Sequence, residues 1–172
     1  MSTATATALT DSPQSLLAGL LDSHQPRSLL TVSLNPIPVV AQWCEDHDCE
    51  LITIAEPSPF NLLETIQRVD LAVVADQLEY MSHAEGESLL GLLRNLHTDS
   101  LVVVYQQTLA PERLRWPANG FFALGCRHEG TFTQDDRSLD MFSYDLDSYN
   151  FKRQWNNPRF WANPENWGKY WW

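Results

Sequence analysis

Only three cysteines occur among the 172 residues, Cys44, Cys49 and Cys126. Three thiols build no disulfide framework, so the fold is expected to rest on a buried core rather than on covalent staples. Basic residues are also scarce. Eleven Lys and Arg stand against 22 Asp and Glu, for a net charge of −11. Phosphate backbones and anionic membranes both attract cationic surfaces, so neither nucleic acid nor a membrane is an expected partner. No run of 18 apolar residues is present, and nothing in the sequence reads as a membrane-spanning helix. No signal-peptide pattern opens the chain, so the expected compartment is a reducing cytoplasm. Motif glycines are missing too: there is no G-x-S-x-G nucleophile turn and no glycine-rich phosphate cradle.

What remains is ample for one domain. Hydrophobic residues make up 44% of the chain, and 172 residues suffice to bury a core. The opening MSTATATALT (1–10) is small and polar and reads as a disordered N-terminus. Residues 11–24 read as a helix, capped by Asp11 or Ser12 with Pro13 at its first position and Leu16, Leu17, Leu20 and Leu21 on one face. SLLTVSL (28–34) reads as a buried strand, followed by a turn at Asn35-Pro36 and a helix from Val39 to His47. ELITIA (50–55) reads as a strand, 61–69 as a short helix and DLAVVA (70–75) as a third strand. Residues 84–96 have the leucine spacing of an amphipathic helix, and SLVVVY (100–105) suits a strand covered on both faces. Beyond Pro111, GFFALGCRH (120–128) and LDMFSYDL (139–146) read as antiparallel strands.

Strands about 20–30 residues apart with helices between them imply parallel pairing through crossovers. The expected fold is therefore an α/β three-layer sandwich over 11–150, a Rossmann-like, mostly parallel sheet closed by an antiparallel C-terminal hairpin. Ser33, Asn35, Glu56, Asp76 and Gln77 all fall at the carboxyl ends of its parallel strands. Ligands of such sheets bind in the crevice at those ends. A plainer reading stands beside it, that strands end in polar residues because they end at the surface.

The stretch VDLAVVADQLEYMSHAEGESLLGLLRNLHTDSLVVVYQ (69–106) resembles the fourth strand, helix and fifth strand of class I S-adenosylmethionine-dependent methyltransferases. Asp76, Gln77, Leu78, Glu79 and Tyr80 match the acidic strand end and "LEH"-like segment of that family. The resemblance implies a methyltransferase-type fold and S-adenosylmethionine as cofactor, with Glu56 on the ribose hydroxyls and Asp76-Gln77 beside the base. It also has departures. The family's first strand runs into a glycine-rich turn that lets bare backbone approach the cofactor. This sequence has SLLTVSLNPIPVV there, and no glycine between Gly19 and Gly86. Pro36 and Pro38 remove backbone donors as well. One strand–helix unit is missing between Glu56 and Asp70. The whole chain, and its ending NNPRFWANPENW above all, looks like an uncharacterised proteobacterial family known as a domain of unknown function. The expectation is a divergent, non-catalytic methyltransferase-like domain that acts by binding a ligand or a protein partner. The alternative is an active methyltransferase with an atypical cofactor loop.

Two other clusters have competing readings. Cys44, His47 and Cys49 have a C-x2-H-x-C spacing, but zinc needs a fourth ligand that the spacing does not supply. The plainer reading is two small apolar cysteines flanking an exposed histidine. His83, Glu85 and Glu87 could pair a base with carboxylates, or simply open a helix with acidic residues that suit its dipole. No catalytic residue and no metal ligand is assigned.

The ending holds Trp155, Phe160, Trp161, Trp167, Tyr170, Trp171 and Trp172, with five of the seven tryptophans. Lys152, Arg153, Arg159 and Lys169 face Glu165 alone. Exposed rings in such number would aggregate. The tail, 151–172, is expected to pack back over the domain; the alternative is an arm that docks a protein partner, since Trp, Tyr and Arg anchor interfaces.

Overall fold

The computed structural model describes residues 12–149. Both expectations for the chain's ends, 1–10 and 151–172, lie outside those residues. Helix α1 (Pro13–His24) begins at Ser12, whose hydroxyl accepts from the Ser15 amide, with Pro13 in the first turn. It leads through Pro26 into β1 (Ser28–Val32). Helix α2 (Pro38–Asp46), strand β2 (Glu50–Ile54), the single turn α3 (Phe60–Leu63) and β3 (Leu71–Val74) follow. Helix α4 (His83–Leu92) runs into a widened π-turn at Leu93–His97, and β4 (Ser100–Tyr105) follows. A short helix α5 (Gly120–Ala123), the hairpin β5 (Arg127–Gln134) and β6 (Arg137–Asp145), and the turn α6 (Leu146–Tyr149) complete the described chain.

One six-stranded sheet has the order β2-β1-β3-β4-β6-β5. The first four strands are parallel, while β6 runs antiparallel to both β4 and β5. This is the mostly parallel Rossmann-like sheet with a terminal hairpin that the sequence implied. β2 is an outer strand, consistent with the shortened connection from Glu56 to Asp70. No helix among the described residues is long and apolar enough to cross a membrane.

Strand alternation divides the core into two. Leu29, Leu71, Val73, Val102 and Met141 face α1 and α2, where they meet Leu17, Leu21, Val40 and Trp43. Leu30, Val32, Ala72, Val74, Leu101 and Val103 face the other side and meet Leu63, Leu78, Leu89, Leu90, Leu93, Trp116 and Phe121. A sheet buried on both faces needs unbroken aliphatic runs rather than alternation, and LAVV of β3 is buried at all four positions.

Two expectations are corrected. Residues 120–128 are not a strand: 120–123 form α5, and β5 starts only at Arg127. Phe121 is drawn into an aromatic stack, with its centroid 4.4 Å from Trp116 and 4.3 Å from Phe142. Burying such a ring is worth ~1.5–3 kcal/mol, and the stack curls the segment against its local β propensity. Residues 61–69 hold less helix than their spacing suggests, because α3 stops at Leu63. Arg68 instead reaches the Asp99 carboxylate, and the Val69 amide donates to the His97 carbonyl.

Candidate functional site

The strand order reverses direction at β1, which has β2 on one side and β3 on the other. The carboxyl ends of β1 and β3 diverge there, and a crevice opens between the loops that follow them. Chain hydrogen bonds knit its floor. The Ser33 amide donates to the Ile54 carbonyl at 3.0 Å, and the Ala75 amide to the Val32 carbonyl at 3.2 Å. The buried Ser33 hydroxyl donates to the Asn35 carbonyl at 2.7 Å, which shapes the turn before Pro36.

Asp76 has a φ of +47°, in the left-handed region. Aspartate tolerates this conformation better than most side chains. Its carboxylate accepts from the Asn35 side-chain amide. Tyr80, one turn further on, is held above the ordinary phenol range, by partial burial first and then by the Asp76 carboxylate. A cleft of about 600 Å³ adjoins this pair. Ser33, Asn35, Asp76 and Gln106 line its polar end, and Ile37, Leu109 and Met141 are among its apolar walls.

The five candidate residues therefore separate. Ser33, Asn35 and Asp76 converge on the cleft. Glu56 and Gln77 are not part of its lining. Glu56 is exposed, and its backbone carbonyl accepts from the Gln77 side-chain Nε2 at 3.1 Å. Gln77 is buried, and the same nitrogen also donates to the Pro57 carbonyl at 3.2 Å. It ties the loop after β2 to the loop after β3.

Sequence reading missed what braces the cleft. Glu79 is fully buried. One carboxylate oxygen accepts from the Gln77 backbone amide at 3.0 Å and the other from the Gln106 backbone amide at 2.7 Å. A single side chain thus holds the loops after β3 and β4 together. Burial pushes its carboxyl above the usual range, against the lowering effect of those two amides. The available signal was an acid set between Leu78 and Met81, both of which are buried.

The other clusters have structural roles. Ser82 caps α4 and forms a capping box with Glu85, while His83 Nε2 lies 3.8 Å from a Glu87 oxygen. Cys44 and Cys49 are buried, and the exposed His47 ring stacks on Trp43 with centroids 4.1 Å apart. No group of three or more His, Cys, Asp or Glu among the described residues is arranged to hold a metal ion.

The chain belongs to a family of unknown function, DUF6231, whose model matches residues 11–172. No curated protein matches it in sequence. Several solved structures resemble it in shape. An rRNA methylase from Escherichia coli is 16% identical over 76% of this chain and 62% of its own, with a TM-score of 0.44. This chain thus spans under two thirds of that protein's length. Magnesium protoporphyrin IX methyltransferase (ChlM) from Synechocystis PCC 6803, with bound SAM, is 11% identical over 76% of each chain, with a TM-score of 0.49. The PH0226 protein from Pyrococcus horikoshii OT3 is 9% identical over 76% of this chain and 87% of its own, with a TM-score of 0.44.

Proposed function

We propose that this chain is a divergent, non-catalytic domain of methyltransferase-like fold, which binds a small ligand in the cleft between the β1, β3 and β4 loops. The observation that carries the reading is the Asn35–Asp76 hydrogen bond across the crevice mouth. Two side chains meet where an adenosyl cofactor needs bare backbone. Pro36 and Pro38 both line the cleft, and neither has an N–H to offer a ligand. Glu56, the residue suited to ribose hydroxyls, lies outside the lining. These residues do not fit S-adenosylmethionine held in the usual way, and no methyl-transfer step is derived. The cleft's polar end and apolar walls suit a compact ligand with one hydrogen-bonding end.

A second reading, an active S-adenosylmethionine-dependent methyltransferase with an atypical loop, draws on the open volume beside Asp76. Calorimetry with S-adenosylmethionine and S-adenosylhomocysteine separates the two. The proposal expects no binding heat and no methyl transfer from radiolabelled cofactor. Micromolar binding that Glu56→Ala abolishes would establish the second reading instead.

A further inference from the structure

We infer that residues 150–172 of this chain cover the strip formed by Leu96, Leu124 and Phe122 on the α4–α5 face of the sheet. The inference is independent of what the cleft binds. Leu96 is 62% exposed and Phe122 is 54% exposed, and the Phe122 ring stands edge-on to the buried Phe142 of the larger core cluster, with centroids 6.1 Å apart. Leu124 is packed at that cluster's margin. Arg94 joins the two segments that carry these side chains: its guanidinium donates to the Leu124 carbonyl at 2.7 Å and lies over the Tyr144 ring. Apolar side chains left outside in one region ask for a cover.

The chain's own exit points to the cover. The Leu146 amide donates to the Asp99 carbonyl at 2.9 Å, and the Leu146 side chain packs against the same cluster. The described chain therefore ends on the α4–α5 side. The 23 residues that follow could span ~75 Å when extended, several times the roughly 20 Å length of a sheet strand. They supply seven aromatic rings between Trp155 and Trp172. Charge agrees: residues 150–172 carry four basic residues against one acid, while residues 12–149 carry seven against twenty. Rings on the apolar strip and cations toward an acidic body form a complementary pair.

The test places a photo-crosslinking benzoylphenylalanine at position 122 of the full-length chain and maps the products by mass spectrometry. Crosslinks from 122 into 150–172 at monomer mass are expected. Crosslinks only between two chains, or none into that segment, would overturn the inference. Acrylamide quenching is the second readout, because five of the seven tryptophans lie in the segment. Leu96→Asp and Phe122→Asp should each raise the quenching constant about twofold, while Leu62→Asp, on α3, should leave it unchanged. Equal quenching in all three variants counts against the docking.

Discussion

The Asn35 side-chain amide donates to the Asp76 carboxylate across the gap between the carboxyl ends of β1 and β3. The two residues are 41 positions apart in sequence, and parallel pairing of β1 with β3 brings them together. The bond closes from within the crevice that a Rossmann-like sheet leaves open at its switch point. A double-mutant cycle of Asn35→Ala and Asp76→Ala, read by urea denaturation, should give a coupling of about 1 kcal/mol, because Asn35 is exposed and one partner is charged. A coupling near zero would remove the closed-mouth argument.

Glu79 should be the costlier residue to lose. Glu79→Ala leaves the Gln77 and Gln106 backbone amides without their acceptor, and one buried and one half-buried donor left unpaired cost roughly 1–3 kcal/mol. The pH dependence has a definite sign. Burial holds the folded carboxyl above the ordinary glutamate value of 4.5, so its contribution to stability is fully present below the unfolded pKa. That contribution is lost as pH rises through the folded pKa. The melting temperature of the native chain should therefore fall, relative to Glu79→Gln, as pH rises from 4.5 upward. Parallel melting curves for the two proteins would contradict the burial of this carboxylate.

Gly86 is where α4 lets Trp116 approach. A Cβ built at Gly86 would lie 2.6 Å from Trp116 Cζ2. Gly86→Ala should destabilise the fold by about 1–3 kcal/mol through overpacking, despite alanine's better helix propensity. A stabilised Gly86→Ala protein would mean that Trp116 is not seated against α4.

Trp43 and Asp22 join the two helices on the opposite face. The indole Nε1 donates to the Asp22 carboxylate at 2.7 Å. Trp43→Phe keeps much of the ring but loses this bond, and should cost ~1–2 kcal/mol. Asp22→Asn, which keeps an acceptor oxygen, should cost less, and the order of the two denaturation midpoints checks it.

The thiols should be inert in the folded chain. Burial pushes Cys126 up to about 11, and Cys49 up to about 12. Iodoacetamide at pH 8 should alkylate the native chain far more slowly than the urea-unfolded chain. The stability contribution tied to Cys126 is present below its unfolded value of 9.0 and is lost as pH rises from there toward about 11. Cys126→Ala should flatten the alkaline fall in melting temperature over that interval.

Local pattern was sufficient wherever one element's own residues decide its form. The continuous aliphatic runs of β1, β3 and β4 announce strands covered on both faces, and the leucine spacing before His97 announces α4. Ser82 and Glu85 cap that helix within four residues of each other. The acidic composition and the absence of a glycine turn were equally plain. All of these depend on neighbours near in sequence, which periodicity and capping rules can read.

Tertiary structure decided the remainder. Residues 120–123 look like a strand and form a helix because Trp116 and Phe142 stack on Phe121 from either side. Glu79 reads only as part of an "LEH"-like segment and is a buried brace because its two partner amides arrive from different loops. Asn35 and Asp76 read as two separate strand ends, and they meet only because the sheet sets β1 beside β3. Contacts between distant segments depend on chain topology, and no local window contains them.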